Sequence, residues 1–331
     1  MKRAGNLIEK ISDYDNLRLA FYKAAKGKQA KKEVLDYRRN LDENLQKLSS
    51  QILSGDVSVG KYHSFRIFDP KERMIYAASF DERVLHHALM NICHPFFERN
   101  LIYDTYATRI GKGTYAALDR AVSFFNRYGY VAKLDVRKYF DSIRHDVLKQ
   151  CVRHLFKDNV LLSIFDKIID TYETVSGRGI PIGNLTSQYF ANHYLSVIDH
   201  FAKENLFVSG YVRYMDDVLI FDDACDKLKV IVKKICAKAN DEFGLEFKAP
   251  VFRSTRQPVS FLGYKLRRHC VSLNKRSRLR LKKKLCQYTT YLKEGEWSQN
   301  EYKVHVIPLL AFAQWAYCRK LRKQIIQRLE V

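Results

Sequence analysis

Apolar residues recur at helical spacing through residues 6–55, among basic positions such as Lys23, Lys26 and Lys28, and again from Leu41 to Leu53; the spacing predicts helices there. Over residues 60–80 the period falls to two. His63-Ser64-Phe65-Arg66-Ile67-Phe68, a turn at Asp69-Pro70-Lys71 and Met74-Ile75-Tyr76 predict a hairpin carrying Lys71 and Arg73. Helices are expected over 81–98, with Val84, Leu85, Ala88, Leu89 and Ile92 apolar, over 114–128, ending near Gly129, and over 144–173. Between the last two, Tyr130 to Phe140 reads as a buried strand ending in Asp135. A glycine-rich turn, Gly177 to Gly183, opens a helix from Leu185 to Asn205. Two apolar runs, Tyr211-Val212 and Val218-Leu219-Ile220-Phe221, flank Tyr214-Met215-Asp216-Asp217, as two strands joined by a tight acidic turn would. A helix over 224–243, short strands near 245–252 and 258–268, and a basic helical stretch over 275–330 complete the pattern. Strands interleaved with helices indicate an α+β or mixed α/β core.

The acidic turn carries the first chemistry. Paired carboxylates at a bend repel each other unless a cation lies between them, and hard oxygen ligands suit Mg²⁺. Most Asp pairs in loops are solvated turn residues. Asp135 shifts that balance, because three carboxylates on two strand ends point to a two-metal phosphoryl-transfer site. Asp141 and Asp146 lie close by and are expected to cap the helix that follows.

Charge narrows the partner. The 331 residues carry 58 Lys and Arg against 36 Asp and Glu, a formal net charge of +22, which implies a polyanionic partner. Nucleic acid is favoured over a membrane surface: no apolar run approaches a transmembrane span and the N-terminus lacks a signal-peptide core. Residues 275–284 hold seven cations in ten positions, a solvated helix face taken singly and a duplex-phosphate contact given the whole charge. Seven cysteines without a CxxC pair suggest reduced, mostly buried thiols in a cytosol, and no zinc site is expected. His86, His87 and His193 read as packed or surface helix residues.

The turn Gly179-Ile180-Pro181-Ile182-Gly183-Asn184-Leu185-Thr186-Ser187-Gln188 is at least a helix start, with Thr186 or Ser187 as its cap. In the functional reading its exposed backbone N–H groups and a close-approach glycine abut a nucleotide or template base. Lys71 and Arg73 are solvated charges singly; together they could clamp a triphosphate.

In this order, Asp135 with Phe140, the Gly179–Gln188 turn, Tyr214-Met215-Asp216-Asp217 and Phe261-Leu262-Gly263-Tyr264 resemble the successive palm motifs of a reverse transcriptase, and Lys71-x-Arg73 resembles the fingers motif upstream. The resemblance covers roughly residues 15–290. Ile182-Gly183-Asn184-Leu185-Thr186-Ser187-Gln188 looks like the enzymes of diversity-generating retroelements, of group II intron-like lineage; most reverse transcriptases have Gln-Gly and Ser-Pro at its two ends. A retron-like or phage-defence reverse transcriptase is the alternative, poorer because of Ser187-Gln188, and a catalytically silent RNA-binding protein on the same fold is a further one.

The resemblance implies an α+β right-hand polymerase fold: fingers over 1–130, a palm over 131–268 with an antiparallel sheet carrying the aspartates and with 177–205 packed on the fingers, and a short helical thumb over 269–331. It implies RNA-templated DNA synthesis with two Mg²⁺ ions, replaceable by Mn²⁺, held by Asp135, Asp216, Asp217 and the Val136 carbonyl. Lys71, Arg73, Phe140, Ile182 and Gly183 would contact the dNTP, with Phe140 excluding a 2′-hydroxyl. Tyr214, Met215, Gln188, Gly263, Lys282 and Lys283 would touch primer or template, and Lys248 stands near the family's late-palm lysine. The implied partners are template RNA, the primer or cDNA strand, dNTPs and a small basic oligomeric accessory protein; the implied setting is a bacterial or phage-infected cytoplasm, with copying errors concentrated opposite adenine.

Overall fold

The computed structural model describes residues 2–68 and 72–316. Lys71 lies outside them. The chain forms two compact units, each assembled from three segments of sequence.

The first unit comprises residues 1–111, 135–207 and 233–248. Its N-terminal region is four helices, Ile8–Ser12, Tyr14–Ala25, Lys32–Arg39 and Leu41–Ser54, followed by the antiparallel hairpin β1 (Tyr62–Ile67) and β2 (Arg73–Ala78). The helix Phe80–Asn100 packs against Tyr14–Ala25 and Leu185–Tyr194. Its periodic positions Val84, Leu85, Ala88, Leu89, Cys93 and Phe97 are buried, as a 3.6-residue repeat requires. Phe97, Phe156, Phe165 and Phe190 form an aromatic core, with ring centroids 5.5 Å apart for Phe97–Phe156 and for Phe165–Phe190; each such burial contributes about 1.5–3 kcal/mol.

The single helix expected over 144–173 is two, His145–Leu155 and Asn159–Asp170. Asp158 divides them: one carboxylate oxygen caps Leu161 N–H at 3.3 Å, and the other accepts from Leu7 N–H at 2.9 Å. The N-cap of the first of these helices is Arg144, without a side-chain cap. Asp146 lies in the first turn and pairs with Arg144 instead, which holds its carboxyl below the usual range, while Asp141 is inside the short helix Tyr139–Ser142. Neither acid caps the helix. The long helix after the glycine-rich turn is also segmented, into Leu185–Tyr194, Ser196–His200 and a π-helical turn Phe201–Asn205.

The second unit comprises residues 112–134, 208–232 and 249–331. Strands β3 (Tyr130–Asp135), β4 (Gly210–Tyr214), β5 (Asp217–Asp222) and β6 (Val251–Ser254) make a sheet of order β4-β5-β3-β6, with the β4–β5 and β3–β6 pairs antiparallel. The helix Thr114–Arg127 covers it, and Phe221 sits against Phe124 and Phe125 with centroids 5.5 and 5.2 Å away. The late strands are β6 and then a meander of β7 (Val259–Phe261), β8 (Tyr264–Arg267) and β9 (Cys270–Leu273); β9 was not expected. The basic stretch breaks at Gly295 into Lys275–Lys293 and Gln299–Gln314, the second opened by a Ser298–Glu301 capping box. No helix among the described residues is long and apolar enough to cross a membrane.

Candidate active site

Arg213 Nη1 donates to the Met215 carbonyl at 3.1 Å, and Met215 has a left-handed φ of 52°. Between them they define the acidic turn. Tyr214 pairs with Asp217 as the last rung of the β4–β5 ladder, leaving Met215 and Asp216 as the two-residue loop. Arg213 is 1% exposed, so its guanidinium braces the loop from inside the fold. Tyr214 is held from the side, its hydroxyl 3.3 Å from Thr114 Oγ1.

Asp217 opens β5, the neighbour of β3 in the sheet. Its Oδ1 is buried and accepts no aligned hydrogen bond, but Lys133 Nζ on β3 stands 2.9 Å from it as an ion pair. Lys133 also donates to the Ser260 carbonyl of β7 at 2.9 Å. Sequence reasoning missed Lys133. The signal was its place two residues before Asp135, on the same face of the strand.

Asp135 closes β3, where the chain passes into the first unit. There Lys248 grips it twice: its ammonium donates to Asp135 Oδ1, and its N–H donates to the Asp135 carbonyl at 2.9 Å. Val136 is bridged to Phe247, and Arg137 N–H bonds the Glu246 carbonyl at 2.7 Å. Lys138 then takes a φ of 45° and turns the chain into the helix Tyr139–Ser142. Phe140 is half-buried, edge-on to Tyr139 at 5.7 Å, and its carbonyl accepts Ile180 N–H at 3.0 Å. Burial raises the Asp141 carboxyl, with Lys138 opposing.

The glycine-rich turn fastens to the basic hairpin. Tyr76 N–H donates to the Ile182 carbonyl at 2.8 Å, and Ala78 N–H to Asn184 Oδ1 at 3.0 Å. The N-cap residue of the helix is therefore Asn184, spent on β2, and neither Thr186 nor Ser187 caps it. Gly183 has a φ of 125°, and a Cβ there would sit 2.7 Å from Ile75 Cγ2 and 3.3 Å from the Tyr76 carbonyl. Its close approach is to β2. Ile182 is half-buried and Gln188 exposed. Arg73, exposed, opens β2.

In the second unit Leu262 and Gly263 have φ of 48° and 90°, the left-handed pair that a two-residue type I′ hairpin demands. A Cβ on Gly263 would lie 2.9 Å from Phe312 Cζ and 3.1 Å from Ser277 Oγ. Tyr264 donates its hydroxyl to the Phe312 carbonyl at 2.7 Å. Lys282 and Lys283 are exposed on the helix Lys275–Lys293. His86 and His193 are buried, His86 Nε2 standing 3.5 Å from Glu82 and His193 Nε2 3.2 Å from the Cys151 carbonyl.

Among the described residues no group of three His, Cys, Asp or Glu side chains closes at metal-ligand spacing; Asp135 and Asp217 each carry a lysine counter-charge. The donor set nonetheless fits Mg²⁺. Carboxylate oxygens are its preferred protein ligands, and the buried Asp217 Oδ1 is an acceptor without a hydrogen-bond donor.

Residues 68–266, more than half of the chain, match the family model of reverse transcriptase (RNA-dependent DNA polymerase). The chain belongs to the reverse transcriptase family. Among curated proteins it is similar to the mitochondrial nuclear intron maturase 1 of Arabidopsis thaliana, 26% identical over 114 residues that cover 34% of this chain and 15% of the maturase. It is also similar to protein YkfC of Escherichia coli, 24% identical over 182 residues that cover 49% of this chain and 47% of YkfC. The chain thus spans less than half the length of these relatives. Among solved structures, apo telomerase of Candida tropicalis superposes with a TM-score of 0.54 at 13% identity, over 87% of this chain and 62% of the telomerase chain. That likeness concerns the fold, and it agrees with the expected class: mixed helices and antiparallel sheets in a right-hand polymerase fold.

Proposed function

We propose that the chain is an RNA-directed DNA polymerase that extends a primer with dNTPs on an RNA template. The observation that carries this is the Asp216-Asp217 hairpin beside the strand that ends in Asp135, inside the segment that matches the reverse transcriptase family. Asp135, Asp216 and Asp217, with the Val136 carbonyl, would hold two divalent cations, Mg²⁺ or in its place Mn²⁺. Bound there, the ions supply charge for in-line attack of the primer 3′-hydroxyl and for departure of pyrophosphate.

The chain's own residues position the reactants. Arg73 would offer its guanidinium fork to the triphosphate, and Lys71, the other cation of the same motif, a second positive charge. Phe140, half-buried and edge-on to Tyr139, offers a flat apolar wall against a 2′-hydroxyl. Tyr214, at the end of β4, and Met215, in the loop that Arg213 braces, touch the primer end. Gln188, Gly263, Lys282 and Lys283 contact primer and template. Lys248, which pairs with Asp135, would donate a proton to the departing pyrophosphate. In this reading residues 1–130 act as fingers, 131–268 as palm and 269–331 as thumb.

We assign the enzyme to the diversity-generating class, acting with a small basic oligomeric accessory protein in a bacterial or phage-infected cytoplasm. The Ile182–Gln188 sequence supports this. An apolar Ile182 removes a hydrogen bond that would help hold base-pair geometry, worth roughly 0.5–1.5 kcal/mol, or about a few-fold to tenfold in discrimination. Primer extension on RNA in Mg²⁺, with the cDNA sequenced, tests both levels. Templated synthesis is expected, with errors concentrated opposite adenine. RNA binding without synthesis would mark a silent member of the family, and uniform accuracy would remove the diversification assignment.

A further inference from the structure

Lys133 joins three strands of the second unit with one ammonium group. It belongs to β3, its Nζ stands 2.9 Å from Asp217 Oδ1 on β5, and the same atom donates to the Ser260 carbonyl of β7 at 2.9 Å. The side chains are only 22% and 27% exposed. A lysine and an aspartate at such depth are each costly unless they are paired and hydrogen-bonded. The Ser260 carbonyl adds direction to the pair: the ammonium donates to it at 2.9 Å, and towards Asp217 Oδ1 it supplies charge without an aligned hydrogen bond.

We infer that Lys133 is a positioning residue of the polymerase centre: it pins Asp217 to the β7 backbone and neutralises it. This rests on the proposed polymerase reading. Asp217 is the first rung of β5, and the Lys133 ammonium stands beside it as a counter-charge. The ammonium lowers the negative charge that a divalent ion meets at the turn and fixes the Asp217 carboxylate at the base of the loop. A lysine serving packing alone would do neither.

The test measures Mn²⁺ affinity by electron paramagnetic resonance on the full chain, without nucleotide, for wild type, Lys133→Met and Lys133→Arg, with D216N marking the site. Lys133→Met should tighten Mn²⁺ binding about threefold to tenfold, the effect of removing one unit charge beside a solvent-screened site, while slowing primer extension. Lys133→Arg should keep the wild-type affinity. Unchanged or weakened binding in Lys133→Met overturns the inference. Should the wild type show no D216N-sensitive Mn²⁺ site, the inference is decided by thermal melting of Lys133→Met, D217N and the double variant. Non-additive shifts support the bridge, and additive shifts overturn it. The polymerase reading fails by a separate result, the absence of Asp216-dependent primer extension in the wild type.

Discussion

The Ile182 carbonyl accepts the Tyr76 N–H at 2.8 Å, so the glycine-rich turn and strand β2 of the basic hairpin are one backbone assembly. Asn184 repeats the link two residues on, through Ala78 N–H. A residue proposed to meet the base of the incoming nucleotide is thus fixed to the hairpin proposed to meet its phosphates.

Gly183 is the tightest point of that assembly. With a φ of 125° and an ideal Cβ 2.7 Å from Ile75 Cγ2, Gly183→Ala combines backbone strain with overpacking, each costing about 1–3 kcal/mol. Thermal melting should show a loss of roughly 2–4 kcal/mol, and KM for dNTPs should rise in the folded fraction.

Ile182→Gln restores a hydrogen-bonding side chain at a half-buried position. Sequenced cDNA from this variant should show fewer errors opposite adenine, by about a few-fold, with overall synthesis retained. An unaltered error spectrum would remove Ile182 from the account of fidelity.

Arg213 is the brace of the acidic loop. Arg213→Leu leaves the Met215 carbonyl without this donor and removes a buried guanidinium, which should cost about 1–3 kcal/mol or more. Primer extension should fall further than the melting shift explains, since the loop holding Asp216 is released. Activity normalised to folded protein is the readout.

His87 sets an acid limit on stability. Burial lowers its imidazole from 6.5 to about 4, with Lys23, His86, Arg83 and Lys28 adding in the same direction. The unfolded chain therefore takes up a proton that the folded chain refuses. This group's contribution to stability is whole above about pH 6.5 and is lost progressively as pH falls towards 4. His87→Gln should flatten this part of the melting-temperature profile between pH 7 and 5.

Local chemistry made part of this structure legible in the sequence. The β1–β2 hairpin follows from period-two alternation flanking a turn, the β4–β5 hairpin from two apolar runs flanking an acidic turn, and Asp135 at a strand end from the apolar run before it. What escaped was set by distant partners. Asp158 interrupts residues 144–173 because it also holds Leu7 N–H, 151 positions away. The helix has Asn184 at its N-cap position instead of being capped by Thr186 or Ser187, and the Asn184 side chain is taken by Ala78 N–H, 106 positions away. Lys133 became part of the candidate site only once β3 was placed beside β5 and Ser260 brought within reach.

The central claim is that Asp135 and the Asp216-Asp217 turn form a cation-dependent polymerisation centre. Its most direct test is Mg²⁺-dependent incorporation of a dNTP on a primed RNA template by the wild type and by Asp216→Asn, with folding checked by melting. The account predicts templated incorporation by the wild type and a loss of at least about a thousandfold in Asp216→Asn, with the melting temperature nearly unchanged. Incorporation by Asp216→Asn at the wild-type rate would contradict it.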